Sequence, residues 1–98
     1  MTYAVVFRPQ AVEEAHAARR WYEEHQLGLG AQFADAIDEA VQRIASNPMA
    51  FPLVYGEIRR AVVRRFPFGI YFRMRGRDLV ILAVMHGRRH PRRWQSRR

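Results

Sequence analysis

The sequence has 98 residues, of which 49% are hydrophobic and 12% aromatic. This length suits one hydrophobic core but not two, and the apolar content excludes a wholly disordered chain. The sequence contains no cysteine, which excludes disulfide bonds and cysteine metal sites and is typical of a reducing compartment. Without a signal-peptide pattern or an apolar run approaching ~20 residues, the chain is expected to be cytoplasmic. We expect a single domain over residues 1–98, with an arginine-rich tail over about 87–98.

Charge is the most informative bulk property of the chain. The net charge is +8, and all 17 basic residues are arginine. Residues 1–50 carry four arginines against seven acidic residues, a net charge of −3, whereas residues 51–98 carry thirteen against two, a net charge of +11. A half-chain at +11 predicts an acidic or polyanionic partner. A GC-rich genome would also favour arginine over lysine.

The first half of the chain predicts a strand and two helices. Residues 3–7 form a short β-rich run that Pro9 ends, and helix formers continue to about His25. Gly28-Leu29-Gly30 predicts a tight turn between helices; it lacks the G-x-G-x-x-G pattern and the preceding strand of a phosphate-binding loop. The second helix has apolar residues at i, i+4, i+7, i+8 and i+11 and ends at Asn47-Pro48, with the apolar set being Phe33, Ile37, Ala40, Val41 and Ile44.

The second half changes to the period of β-strands. Residues 57–65 are predicted to form one strand, and residues 69–75 a second whose apolar and cationic side chains alternate. Residues 79–85 are apolar throughout, which is typical of a central strand covered on both faces. The fold class is therefore α+β in the order β-α-α-β-β-β, with a helical hairpin on one face of a mainly antiparallel sheet. The opposite face should present Tyr71, Arg73 and Arg75, while Trp21 and Tyr22 should pack between helix and sheet.

In this order, a set of short motifs resembles the RelE/ParE toxin superfamily, often labelled plasmid-stabilisation proteins. The motifs cover nearly the whole chain: Val5-Val6-Phe7-Arg8-Pro9 with Ala11, Trp21-Tyr22, Phe33, Ile44 with Asn47-Pro48, Phe51-Pro52, Arg59-Arg60, Phe66-Pro67-Phe68-Gly69-Ile70-Tyr71-Phe72, and Val84-Met85-His86-Gly87-Arg88-Arg89 with Pro91 and Trp94.

The resemblance implies the toxin component of a type II toxin–antitoxin system. ParE-like toxins poison DNA gyrase and are not nucleases, whereas RelE-like toxins cut messenger RNA on the ribosome. This chain has no lysine, lacks the closing tyrosine of the nucleases, and carries Phe-Pro-Phe-Gly-Ile-Tyr where they commonly place a catalytic arginine. The resemblance is therefore closer to the ParE-like branch.

Candidate catalytic residues belong to the nuclease alternative. RNA cleavage needs an acid, a base and cations on the phosphorane, and His86 is the best acid/base candidate because histidine titrates near neutrality. Arginine stays protonated and is a poor base, so the arginines would stabilise phosphate charge. The cationic candidates for this role are Arg64, Arg65, Arg73 and Arg88. The same residues could instead form a solvated face.

Candidate residues for binding a partner or target are basic or aromatic. They are Arg59, Arg60, Tyr71, Arg73, Arg75, Arg88, Arg89 and Trp94. Tyr71 and Trp94 could stack on bases, but such residues more often pack a tail onto a sheet. His86 and His90 have the spacing of metal ligands only on a helix, which Gly87 and Pro91 oppose. We expect neither a metal nor another cofactor.

The sequence thus favours a toxin that binds a macromolecule, most simply DNA gyrase, and is neutralised by a small antitoxin that folds on binding. A ribosome-dependent endoribonuclease and a plain nucleic-acid-binding module are the alternatives. No membrane partner is expected, and a homodimer or a toxin–antitoxin hetero-oligomer is compatible with the sequence.

Overall fold

The computed structural model describes residues 3–87. Two helices, α1 (Pro9–His25) and α2 (Leu29–Ser46), are followed by a single 3-10 turn at Pro48–Ala50. Five strands complete this part of the chain: β1 (Ala4–Phe7), β2 (Leu53–Tyr55), β3 (Ile58–Val62), β4 (Phe68–Arg75) and β5 (Asp78–His86). Neither helix within residues 3–87 is long and apolar enough to span a bilayer.

The strands form one sheet in the order β1-β5-β4-β3-β2. β1 runs parallel to β5, with Ala4 opposite Asp78 and Phe7 opposite Ile81, and the other three pairs are antiparallel. Both helices pack on one face of this sheet, which confirms the predicted α+β fold and its helical hairpin. The predicted strand over residues 57–65 was wrong in extent. It ends at Val62 and is preceded by the short strand β2.

The helical hairpin is closed by the carboxylate of Glu23. Gly28 has a positive φ of 87°, so the chain reverses there without a Cβ clash. The Glu23 Oε1 and Oε2 atoms accept hydrogen bonds from the Gly28 amide (3.2 and 3.0 Å), and Oε1 also accepts one from Gly30 (3.0 Å). Amides in the first turn of a helix have no partner within the helix. Glu23 therefore caps α2 from the preceding helix.

Gly30 allows α1 and α2 to approach closely. A Cβ on Gly30 would lie 2.9 Å from the Arg19 carbonyl oxygen and 3.0 Å from the Glu23 Cβ. The apolar stripe of α2 covers the sheet, and its Phe33 and Ile44 are fully buried. Their sheet contacts include Ile70, Phe72, Leu79 and Ile81.

β5 is buried on both faces, as predicted, but it lies between β1 and β4, and the middle strand of the sheet is β4. Its pairing with β4 shifts by one residue, because Tyr71 lies opposite Ala83 and Phe72 lies opposite Ile81, leaving Leu82 as the extra residue of a β-bulge. On the N-terminal side of the bulge, Leu79 and Ile81 face the helices; on its C-terminal side, Val84 does. The bulge therefore reverses which residues of β5 face the helices.

The cap at Glu23 gives stability a defined pH dependence. The Gly28 and Gly30 amide hydrogen bonds, aided by Arg19, hold the pKa of the Glu23 carboxyl below its ordinary value of 4.5. Because the pKa is lowered in the folded state, the stabilisation is present above 4.5 and is lost as the pH falls through the folded value. We expect Glu23→Gln to lower the melting temperature at neutral pH and to flatten the acid limb of the stability curve. Glu24→Gln, whose side chain bonds neither amide, is the matched control. Equal melting temperatures for the two variants at neutral pH would contradict the cap.

Because the two helices are in close contact at Gly30, we expect a glycine-to-alanine substitution there to destabilise the protein, although such substitutions usually stabilise a helix. Glycine to alanine inside an exposed helix stabilises by about 1 kcal/mol, but here the new Cβ would meet backbone. Overpacking of this kind costs roughly 1–3 kcal/mol, so Gly30→Ala should lower the free energy of unfolding in urea denaturation. An increase would show that the helices can separate at no cost.

Candidate functional site

His86 lies in a groove between α1 and the end of β5. It is opposite Phe68 in the β4–β5 register, and the two rings meet edge-to-face with centroids 5.6 Å apart. The groove has a volume of about 610 Å³ and mainly apolar walls, which include Ala17, Trp21 and Val84. A histidine in this position is held among aromatic and aliphatic side chains.

The groove exists because β1 is shorter than β5. β1 ends at Phe7, opposite Ile81, and beyond that point α1 faces the edge of β5. There the Val84 amide donates a hydrogen bond of 3.0 Å to Oε1 of Glu14, so a helix carboxylate replaces the missing strand. The Leu82 bulge then determines the face: Val84 points toward the helices, and His86, two residues later, does the same.

The aromatic residues of α1 form the outer wall of the groove. Tyr22 stacks on Phe33 at 5.2 Å and contacts Phe66 edge-to-face, as predicted for a core residue, and burial raises the pKa of its phenol. Trp21 was expected in the core, but it is 54% exposed. Its indole stacks on His25 at 3.7 Å, and His25 Nδ1 donates a 2.7 Å hydrogen bond to the Trp21 carbonyl oxygen. The apolar period of α1 did not reveal this exposure.

Tyr71 and Arg73 lie on the sheet face opposite the helices. The prediction that Tyr71 would be open on this face was wrong. The residue is 5% exposed, in a second apolar cluster with Ile58, Val80 and Leu82. Arg73 is opposite Val80 and is half-buried, whereas Arg75 is exposed beside the β4–β5 turn. Period-two alternation predicted the face of each side chain but not its burial.

The neighbouring arginines of β3 differ from one another. Arg59 points to the helix side and donates hydrogen bonds to the carbonyl oxygens of Phe51 (2.6 Å) and Met49 (3.4 Å). It holds the segment between α2 and β2, so in this structure it serves the fold. Arg60 is exposed on the opposite face, and its aliphatic part lies over Gly69. Of the two, Arg60 is exposed and Arg59 is half-buried.

Arg64 and Arg65 lie in the loop between β3 and β4, at the same end of the sheet as His86. Arg64 Nη1 is 3.4 Å from Glu39 Oε2, the same oxygen that pairs with Arg43 Nε at 2.7 Å. Arg65 is exposed and has a positive φ of 70°, which costs a non-glycine residue conformational energy. Arg64 therefore forms an ion pair with α2, whereas Arg65 is exposed and lies in a backbone conformation that is unfavourable for a non-glycine residue.

The structure does not assemble His86 and Arg73 into one site. Phe68, the partner of His86, and Arg73 are five positions apart on β4, roughly 16 Å at 3.3 Å per residue, and they face opposite sides of the sheet. Arg88, Arg89, His90 and Trp94 lie outside the described residues. Within residues 3–87, no group of three or more histidine or acidic side chains could hold a metal ion.

Two arginine side chains each have a buried side-chain nitrogen without a hydrogen-bond partner. The Nε atoms of Arg8 and Arg73 are both inaccessible and make no hydrogen bond within residues 3–87. Arg8 continues β1 and, by the two-residue period of a strand, lies on the same face as Val6 and Val80. An unsatisfied buried N–H costs about 1–3 kcal/mol, and because neither atom is accessible, an external acceptor could reach them only if these side chains moved.

The solved structures similar to this fold include two from toxin–antitoxin systems. One is the chromosomal ParDE toxin–antitoxin system from P. aeruginosa, with a TM-score of 0.64, 18% sequence identity, and coverage of 87% of this chain and 96% of that chain. Another is the toxin–antitoxin complex RelBE2 from Mycobacterium tuberculosis, with a TM-score of 0.61, 22% identity, and coverage of 88% and 99%. Among curated proteins, no sequence matches significantly.

Sequence similarity identifies the family more closely than the fold does. The sequence model of the ParE toxin of the type II toxin–antitoxin system ParDE matches residues 5–91. This match covers both helices and all five strands apart from Ala4, the first residue of β1. The chain belongs to the ParE toxin family of type II toxin–antitoxin systems.

Proposed function

We propose that this protein arrests growth by binding DNA gyrase, without cleaving RNA, and that a cognate antitoxin neutralises it. The observation that carries the proposal is the separation of His86 from Arg73. General acid–base catalysis requires its groups within about 3 Å of the reacting atoms, or one water away. A phosphate at His86 cannot also contact Arg73, because the sheet lies between them.

The groove around His86 is better suited to packing than to RNA chemistry. Its walls are formed largely by Trp21, Phe68, Val84 and alanines of α1, and its carboxylate, Glu14, is bonded to a β5 amide. A phosphodiester needs several cations at the cleaved bond. Arg64, one of the two cations that precede this end of β4, already faces Glu39. These contacts support a binding role for the groove.

The proposed antitoxin is supported by charge and by the similar structures. Both similar structures belong to toxin–antitoxin systems. The second half of this sequence has a net charge of +11, so an acidic partner would associate rapidly and strongly.

The nuclease remains a second candidate on one specific observation. His86 and the exposed Arg65 are at the same end of the sheet, since Phe68 lies opposite His86 and the Gly87 amide donates to the Pro67 carbonyl oxygen at 2.8 Å. This end of the molecule also holds the strained Arg65 turn.

Expression and a purified gyrase assay separate the two candidates. Induced in a host without its antitoxin, the full chain should produce filaments with damaged DNA, and the purified chain should increase gyrase-dependent DNA cleavage. Messages should stay intact on translating ribosomes. Ribosome-dependent cleavage of messages, with gyrase unaffected, would refute the gyrase proposal.

Removing the His86 imidazole tests the nuclease directly. Loss of a general acid or base lowers a rate by about 10²–10⁴-fold, so a nuclease that depends on His86 would lose its toxicity. We expect His86→Ala to arrest growth as the unmodified chain does, with His25→Ala as the matched control and thermal melting to verify folding. A folded His86→Ala protein without toxicity would favour the nuclease.

A further inference from the structure

Arg65 is an exception among the left-handed backbone positions of this protein. Within residues 3–87, the other positions with a positive φ are all glycine, namely Gly28, Gly56 and Gly76. Glycine adopts this conformation without a steric penalty, whereas a residue with a Cβ loses conformational energy there. Residues that keep such a cost cluster at active sites and ligand-binding sites, where the side chain itself is needed. The arginine at position 65 therefore requires a reason outside the fold.

The hairpin that carries Arg65 is strongly cationic. Residues 58–77, which contain β3, β4 and the loop between them, include seven arginines and no acidic residue. The acidic residues that flank this stretch, Glu57 and Asp78, lie at the end of the hairpin away from the loop, where Asp78 is opposite Arg75 in the β4–β5 register. The positive charge is therefore least compensated at the loop end.

Three exposed arginines form the surface at that end, and we call Arg60, Arg64 and Arg65 the loop patch. Arg64 shares the single carboxylate of Glu39 with Arg43. Within residues 3–87, neither Arg60 nor Arg65 forms a salt bridge with an acidic side chain. The loop patch thus has cations available for an external anion.

The aromatic side chains near the loop patch are not available to stack on bases. Tyr71 is 5% exposed, and Phe66 and Phe68 pack against the core beneath the helices. The exposed Trp21 already stacks on His25. Proteins that bind single-stranded nucleic acid combine cations with aromatic rings on which bases stack, whereas contacts to a duplex backbone require the cations alone. The loop patch therefore suits a duplex better than a single strand.

The dimensions of the loop patch agree with a phosphate backbone. Arg60 and Arg65 are five residues apart, at most roughly 16 Å at 3.3 Å per residue. Duplex DNA carries one negative charge per about 1.7 Å of its axis, so a patch of this width faces several phosphates at once. Guanidinium groups bind phosphate oxygens through charge-assisted hydrogen bonds that are often bidentate.

We propose that the loop patch binds the phosphate backbone of duplex DNA and that Arg65 is its central contact. Contacts to phosphates carry no sequence information, so the binding is independent of sequence. The inference rests on the proposed function in one respect: the duplex is DNA because DNA is the substrate of the proposed target.

Fluorescence anisotropy with the full chain tests the loop patch. The probes are two fluorescein-labelled twenty-base-pair DNA duplexes of unrelated sequence and a single strand of the same length. We expect equal affinity for the two duplexes and weaker binding of the single strand. Each phosphate contact adds about 0.9 to the slope of log K against log salt concentration, so Arg65→Gly and Arg60→Ala should each reduce that slope by about 0.9. Arg20→Ala removes the same charge from an exposed position of α1 and should leave the slope unchanged.

Thermal melting gives a second readout at Arg65. Glycine relieves the conformational cost of a positive φ, so Arg65→Gly should melt at a higher temperature than the unmodified chain while it binds the duplex more weakly. Arg65→Lys keeps both the charge and the cost, and its melting temperature and salt slope should stay close to those of the unmodified chain. A purely structural role for Arg65 would not produce a variant that gains stability and loses binding.

Four results would overturn the inference: no duplex binding at low salt, tighter binding of the single strand, equal salt slopes for Arg65→Gly and Arg20→Ala, or a lower melting temperature for Arg65→Gly than for the unmodified chain. Tighter binding of double-stranded RNA, or equal binding of poly-glutamate, would assign the loop patch to another class of polyanion and would also overturn it.

Gyrase-dependent DNA cleavage is measured separately. Duplex binding through the loop patch without an effect on gyrase refutes the proposed function alone. An effect on gyrase together with a salt slope that Arg65→Gly leaves unchanged refutes this inference alone.

Discussion

The position of β5 between β1 and β4 is the constraint on which the rest of this structure depends. Asp78–His86 pairs with β1 on one side and β4 on the other, and residues 79–85 are all buried. A strand buried on both faces needs apolar side chains at every position, which these residues supply. Helix α1 packs against β5, and the groove around His86 lies between α1 and the edge of this strand.

The bulge at Leu82 changes which face of the sheet the following side chains of β5 point to. Without it, strict alternation from Ile81 would direct residues 83 and 85 toward the helices and place His86 on the same face as Arg73. With it, His86 enters the α1 groove and Tyr71 lies opposite Ala83 in the second cluster. One inserted residue thus decides which polar groups can act together, which is the usual effect of a bulge near a functional surface.

The sequence predicts the helices and the central strands because their side chains have a clear period. α2 has a continuous apolar stripe from Phe33 to Ile44, and β4 alternates from Ile70 to Arg75. β2 escaped prediction because three residues between Pro52 and Gly56 carry no period. The bulge escaped because both faces of β5 are apolar, so a shift in alternation leaves no trace in composition. The burial of Tyr71 and the exposure of Trp21 depend on what lies over them, which the pattern of a single element does not record. The hydrogen bond from Arg59 to the Phe51 carbonyl oxygen likewise depends on how separate segments pack together, which the sequence of either segment does not show.

The parallel pairing of β1 with β5 also determines when this toxin can become a folded protein. Ala4 is paired with Asp78, so the first strand must wait for the last one, and neither the sheet edge nor the α1 groove exists before residue 86 has been synthesised. Pairing across such a separation is intrinsically slow. The polypeptide therefore passes through an interval, set by the ribosome and by strand docking, in which it is present without the folded surface that a partner or target would contact.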